Sequence, residues 1–279
     1  MQTMVEQMEN GYEELSVAFH ELEQKNKDLL DSLYYASSVQ QGLMPQDRHF
    51  KKLANPYFVY YQPAKIIGGD FYWLAKKEDW VFYAVGDCTG HGLSGAMLSS
   101  LAIGFLNYLV YSKPFETVGM LLNELDKKWI ETFKHDEEEQ VNNDWMEIAL
   151  IAYNAQSHTF QYSAAKRKSM VVSPSETMLL EGNNYPIGGW QIEKNRVFTT
   201  KTIELIQPFS VFLFSDGLQD QFGGPKNKRF GTKNVYELIH QQQHLSMERT
   251  RNAIVNEFLA WKGEVEQTDD VCLLGVSFT

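Results

Sequence analysis

Four acidic turns in this chain carry residue types that can hold a metal. Asp70 lies in IIGGDFYW, Asp87 in VFYAVGDCTGHG, Asp216 in FLFSDGLQD, and Asp269 with Asp270 in QTDDVCLLGV. Carboxylate oxygens are the ligands that hard divalent cations prefer, and adjacent glycines let main-chain carbonyls approach the same ion. Taken singly, each turn has an ordinary explanation, because aspartate, as before glycine at Asp216, is a frequent turn residue. Taken together, without a matching basic residue in those turns, they describe buried negative charge that a metal would compensate. Tertiary structure must bring them together.

The elements that would position them can be read from hydrophobic patterning. Val81 to Leu106 reads as a strand ending at Asp87, a glycine-rich turn, and a helix of small and apolar residues. Before it, YFVYYQ from Tyr57, DFYWLA from Asp70 and WVFYAV from Trp80 predict three neighbouring strands of one sheet. Helices are predicted at about 92–111 and 114–134, the second with Val118, Leu121, Leu122, Leu125 and Trp129 on one face. The acidic run 136–139 reads as a solvated loop. Further strands (MEIALIAYNA, TFQYSAA, SMVVS, TMLLE, VFTTKTIEL, SVFLFSD) lead to helices near 234–243 and 247–261 and a last strand, VCLLGVSFT. This order predicts an α+β fold: two antiparallel sheets face to face with helices outside.

Residues 1–45 follow a different pattern. Met1, Met8, Leu15, Leu22, Leu29, Ala36 and Leu43 recur every seventh residue, with Val5, Tyr12, Phe19, Asn26 and Leu33 as the companion set. That seam predicts a long helix in a parallel two-stranded coil, with Asn26 as the lone polar residue that sets register. The competing reading is an amphipathic helix folded on its own domain. Pro45 ends the pattern. The expected division is therefore a dimerising or regulatory helix over 1–45 and a folded domain over 46–279.

Whole-chain properties narrow the function classes. A length of 279 residues with 43% hydrophobic content supports a large buried core. The formal net charge of −11 argues against nucleic-acid or anionic-membrane partners, which are bound by clustered Lys and Arg. Cys88 and Cys272, far apart and outside any CxxC spacing, suit neither a disulfide framework nor a structural zinc, so a reducing cytoplasm is expected. No signal peptide and no apolar run of about 18 residues is recognised, so no direct membrane contact is expected of this chain, whether whole or the output end of a larger receptor.

From about Tyr35 to Thr279 the chain resembles the SpoIIE-type branch of the PPM (type 2C) metal-dependent serine/threonine phosphatases. The resemblance is carried by YASSVQQGLMP, QPAKIIGGDFYW, VGDCTGHGLSGAML, MEIAL, PIGG, FLFSDGLQDQFGG and TDDVCLLGV, in that order. It implies a β-sandwich flanked by helices, and two Mn²⁺ or Mg²⁺ ions. It also implies that Asp87 bridges the ions, that the Cys88 carbonyl completes one, that Asp216 and Asp269 bind the other, and that Asp70 acts through metal-bound water. Asp270 stays open as an alternative to Asp269. The activity implied is hydrolysis of phosphoserine or phosphothreonine by a metal-bridging water, because paired cations can stabilise attacking and leaving oxygens together. The partner implied is a bacterial regulatory protein of the STAS-domain, anti-anti-sigma type, with the amino-terminal coil as a homodimeric control element.

Departures from the family pattern matter as well. YSAAKRKSM stands where relatives carry an Asn-Ala-Gly-His or Gly-Ala-Asn segment, and His91 is displaced from the proton-donor position of the eukaryotic-type enzymes. GGDF at Gly68–Phe71 also echoes nucleotide cyclases, but that reading leaves the other acidic turns unexplained. The alternative from another class is a catalytically silent binding module on the same fold.

Overall fold

The computed structural model describes residues 2–53, 55–112, 114–134, 143–189, 193, 195–204, 208–242 and 244–278, with side chains from residue 10 onward. Helix α1 (Gln2–Leu43) is continuous and stops before Pro45. A short α2 (Asp47–Lys51) leads into β1 (Tyr57–Gln62), β2 (Asp70–Lys77) and β3 (Trp80–Cys88). The helix pair α3 (Leu93–Ser112) and α4 (Val118–Phe133) follows, the latter capped by the Thr117 side chain, which accepts from the Met120 N–H. Next come β4 (Trp145–Asn154), β5 (Thr159–Ala165), β6 (Lys168–Val172), β7 (Thr177–Glu181), β8 (Ile187–Gly188), β9 (Lys201–Glu204) and β10 (Phe209–Phe214). The chain closes with α5 (Gly217–Asp220), the small hairpin β11 (Phe222–Gly223) and β12 (Lys228–Arg229), helices α6 (Thr232–Gln241) and α7 (Met247–Lys262), and β13 (Val271–Phe278). The acidic run 136–139 and Met1 lie outside what is described, as do the side chains of Val5 and Met8.

Two antiparallel sheets face each other, in strand orders β1-β13-β10-β6-β7 and β2-β3-β4-β5-β9, with β8 on the end of β4. Strand residues alternate between two buried faces, which explains why the strands are apolar at both parities. On β3, Tyr83 and Val85 point into the space between the sheets with Ile151, Phe160, Leu213 and Leu274, while Phe82 and Ala84 meet Leu106, Leu122 and Trp129 under α3 and α4. On the other flank Leu273, Phe212 and Phe58 pack beneath Val235, Ile254 and Phe258 of α6 and α7. The helix–sheet–sheet–helix layering is the α+β sandwich expected.

One strand grouping needs correction. The sequence reading makes YFVYYQ a neighbour of DFYWLA, but β1 pairs with the last strand, β13, in the register Tyr61↔Cys272, and lies in the opposite sheet from β2. Turn 63–69 crosses between the sheets, and a partner two hundred residues away leaves no local trace in β1 itself. The statement about apolar runs also needs adjusting. Among the described residues one helix, α3, is long and apolar enough to cross a membrane, with mean hydropathy 1.6. Half of that stretch is buried in this domain, where Ala102, Ile103, Leu106, Leu109 and Val110 join the core against β2 and β3.

From residue 10 to residue 32, α1 is exposed, and Tyr12, Phe19 and Leu22 are each more than half exposed. Its last turns do dock. Gln40, 1% exposed, donates from Nε2 to the Gly68 carbonyl (2.7 Å) and to Ser99 Oγ on α3 (2.7 Å).

Candidate active site

Antiparallel register places acidic residues side by side at one end of the sandwich. Asp70 opposes Asp87 across β2 and β3, and Asp87 opposes Glu147 across β3 and β4. Directly opposed residues in a sheet have Cβ atoms about 4.5–5.5 Å apart, so this row concentrates negative charge. The facing sheet contributes Asp216, just beyond β10, and Asp269 and Asp270, just before β13.

Ser215 staples the two sheets. Its N–H donates to the Cys272 carbonyl (2.9 Å), its Oγ accepts from the Cys272 N–H (2.9 Å), and its hydroxyl donates to Asp70 Oδ2. Asp70 is 1% exposed, and its carboxyl pKa is raised well above the usual range, first by burial and then by Asp87, against the lowering effect of the Ser215 bond. The chain therefore carries Asp70 at the back of the cleft, away from solvent.

Asp269 and Asp270 differ sharply. Asp270, 5% exposed, accepts from the Ala64 N–H at Oδ1 (2.8 Å) and from the Gly69 N–H at Oδ2 (2.7 Å). It thereby closes the turn that carries Asp70. Gly68 is glycine for the same reason: a Cβ there would stand 2.3 Å from Asp270 Oδ2. Asp269 accepts only from the Asp270 N–H (2.8 Å), and its pKa is raised by burial and by repulsion from Asp216 and Asp270. Of the pair, Asp269 keeps oxygen free for the cleft.

The largest addition to the sequence reading is Arg167. Lys166 adopts a left-handed backbone (φ 56°) where the chain leaves β5 in one sheet for β6 in the other, and Arg167 follows at the crossing. Its guanidinium, 7% exposed, enters the acid cluster from there. One terminal nitrogen donates to Asp87 Oδ2, the other pairs with Asp216 Oδ2 at 3.1 Å, and Nε lies 3.0 Å from Glu147 Oε2 without the alignment of a hydrogen bond. Burial alone would lower the Arg167 pKa, but Asp216, Asp87 and Glu147 outweigh it and raise it. Burial still pushes Asp87 up to about 7, opposed by Arg167 and reinforced by Asp216, Asp269 and Glu147. One cation does not balance this many carboxylates.

The acidic turns themselves carry no basic residue, as read from the sequence; the cation that meets them comes from a different strand crossing. Glu147 and Arg167 both fall within stretches quoted above, MEIAL and YSAAKRKSM. Sheet register sets Glu147 beside Asp87, and the crossing from β5 to β6 brings Arg167 to the same carboxylate.

The residues fit divalent cations by their donor set. Asp87, Glu147, Asp216 and Asp269 offer only oxygen, and their crowding is the uncompensated charge that a hard cation relieves. Main-chain oxygen is available too. A Cβ on Gly69 would stand 2.7 Å from the Cys88 carbonyl oxygen and 3.0 Å from that of Gly90, so glycine at 69 keeps this concavity open. The Cys88 thiol is fully buried, and its pKa is raised by burial and then by Asp87 and Asp70, which leaves the backbone as its usable donor. Among the described residues no three acidic, imidazole or thiol side chains already form a closed ligand cluster. The guanidinium of Arg167 occupies the space where the Asp87 and Asp216 oxygens would converge.

Comparison with known proteins gives three findings. The family model described as stage II sporulation protein E (SpoIIE) matches residues 77–279, a span that includes every acidic turn except that of Asp70. A search of curated proteins returns no match. Among solved structures, the SiaA-PP2C domain of Pseudomonas aeruginosa superposes with TM-score 0.80 at 24% identity, covering 91% of this chain and 98% of that one. The PP2C phosphatase domain of SpoIIE from Bacillus subtilis, with a fragment of its regulatory domain, gives 0.63 at 15% identity over 80% of this chain and 63% of that one. RsbX in complex with magnesium gives 0.55 at 18% identity over 80% and 94%.

Proposed function

The chain belongs to the SpoIIE family of PP2C-type serine/threonine phosphatases, and from that premise we propose that it removes phosphate from serine or threonine of a regulatory protein with the help of two Mn²⁺ or Mg²⁺ ions. The observation that carries this reading is the gathering of Asp87, Glu147, Asp216 and Asp269, from the ends of four separate strands in two sheets, around a single internal cation. So much opposed negative charge in one cleft costs stability and calls for metal ions. Asp87 would bridge the ions, Asp216 and Asp269 would hold one of them, and the Cys88 carbonyl would complete the other. Asp70, fixed by Ser215, would orient the water around it. Bound there, paired divalent ions lower the pKa of water and offset the charge of a phosphoryl group. Asp270, with each oxygen already accepting from a backbone N–H, would keep the 64–69 turn in place and leave ion binding to Asp269.

The proposed substrate is a phosphorylated STAS-domain protein of bacterial signalling in the cytoplasm, supported by the likeness to the SpoIIE branch. We assign α1 the role of control element and homodimer seam, supported by its exposed Tyr12, Phe19 and Leu22 and by Gln40, which ties its end to the Gly68 carbonyl and to α3. A change in the pairing of α1 would reach the turn that carries Asp70 through that one side chain. Deleting residues 1–33 should lower the mass in sedimentation from dimer to monomer and change turnover; no change in either removes the role.

The silent-module alternative has one observation on its side, since Arg167 already supplies a cation to the site. Mn²⁺-dependent hydrolysis of p-nitrophenyl phosphate separates the two readings. The native chain should turn over, and Asp87→Ala should not; absence of metal-dependent turnover in the native chain would favour the silent module.

A further inference from the structure

We propose that Arg167 is a resident cation that competes with the divalent ions for Asp87 and Asp216, so that metal loading requires its guanidinium to swing out of the cleft. The inference rests on the metal-dependent reading above and deepens it. Arg167 holds Asp87 Oδ2 and Asp216 Oδ2 with its two terminal nitrogens, while Nε faces Glu147 Oε2 at 3.0 Å. A divalent cation held between these two carboxylates would draw their oxygens in to about 2.0–2.6 Å. Guanidinium and ion cannot both stand between the two carboxylates, because the planar fork fills the gap and the two positive charges repel. Two states follow. Without metal, Arg167 neutralises part of the cluster and holds the cleft together; with metal, the ions take over that role and Arg167 is released.

The surroundings suit a side chain that moves. Its backbone is anchored, since the Arg167 carbonyl accepts from Tyr162 Oη (3.0 Å) and the preceding Lys166 N–H donates to the Asn183 carbonyl (2.8 Å). Its Nε–H lacks an aligned acceptor, so one of the five guanidinium protons is not well used in the closed position. Lys166 beside it pairs with Glu147 Oε1 (3.4 Å) over the Trp145 ring, which leaves Glu147 a cationic partner after Arg167 departs. Asp87 and Asp216 have no such substitute among the ion pairs described, so the metal must provide it.

The test uses the full chain and three measurements. In calorimetric titration with Mn²⁺, Arg167→Gln should bind about tenfold to a hundredfold tighter than the native chain, the equivalent of one charge-assisted hydrogen bond that no longer has to be broken. In chelator, the same variant should melt at a lower temperature than the native chain, and saturating Mn²⁺ should close that gap. Arg167→Lys, which keeps the charge but loses the fork, should fall between the two and serves if the glutamine variant does not fold. On the native protein, phenylglyoxal labelling read by mass spectrometry should spare Arg167 in chelator and modify it in saturating Mg²⁺. Unchanged or weaker Mn²⁺ binding by both variants overturns the proposal, as does equal protection of Arg167 with and without Mg²⁺. The two levels are separable. If Asp87→Asn abolishes Mn²⁺ binding while the Arg167 variants bind as the native chain does, competition is wrong and the metal reading stands. If the native chain binds no Mn²⁺, both fall together.

Discussion

Exchanging the two adjacent carboxylates before β13 for their amides, one at a time, tests the division of labour between them. Asp270 accepts two bonds from backbone N–H groups, at 2.8 and 2.7 Å, in a position only 5% exposed. Hydrogen bonds to charged groups contribute about 1.5–3 kcal/mol each, so losing both in Asp270→Ala should cost about 3–6 kcal/mol. Asp270→Asn keeps one acceptor but turns an NH₂ toward the other buried N–H, which leaves that donor unmet at a cost of about 1–3 kcal/mol. Asp269 accepts a single bond, 2.8 Å from the Asp270 N–H, and an amide oxygen can accept it equally well. Asp269→Asn should therefore change metal-free stability by under about 1 kcal/mol, helped by relief of its repulsion with Asp216. Its Mn²⁺ affinity should nevertheless drop by at least about tenfold, since a charged ligand has gone. Urea denaturation in chelator, paired with calorimetric Mn²⁺ titration of each variant, reads both quantities. If Asp270→Asn keeps native stability but loses the ion, while Asp269→Asn keeps the ion, the two roles are reversed and the argument from backbone hydrogen bonds fails.

Three further outcomes are expected. Asp126→Ala on α4 strips Arg196, 7% exposed, of its carboxylate at 2.8 Å and the Gly188 N–H of its acceptor at 2.7 Å, and should cost about 3–5 kcal/mol in denaturant melts, with Asp126→Asn costing less. Gly217→Ala places a Cβ 1.9 Å from the Asp270 carbonyl oxygen, so soluble yield and melting temperature should both fall, whereas an unperturbed protein would show that α5 can shift freely. In chelator, the folded pKa of Asp87, raised to about 7 from 3.8, means the native state binds more protons than the unfolded chain between those values. Stability should then fall as pH rises through that window, by up to about 1.4 kcal/mol per unit for this one group, and Asp87→Asn should flatten the slope. Saturating Mg²⁺ should remove or invert it, because ions bind the ionised carboxylate. A metal-free stability that climbs from pH 4 to 7 would contradict the assigned burial.

The sequence alone determined the local pieces. Short apolar runs bordered by acidic turns placed β2, β3, β10 and β13 close to where they lie, and 3.6-residue patterning placed α3, α4, α6 and α7 within a few residues. The seven-residue seam and Pro45 bounded α1. These are short-range signals, set by side-chain direction and backbone propensity, and any reader of the chain meets them. What tertiary structure decided was pairing across distance. β1 joined β13 and left β2 to the opposite sheet, because strand pairing is chosen by the whole core and not by neighbours in sequence. Register made Glu147 the neighbour of Asp87, and a left-handed turn at Lys166 delivered Arg167 to the same carboxylates from the strand crossing. Asp269 and Asp270, adjacent and chemically identical in the sequence, were separated only by which backbone amides lay within reach. Charge compensation is a property of three-dimensional neighbours, so a site built from turns as far apart as those of Asp70 and Asp269 is legible in sequence as a set of acids, while the cation among them is not.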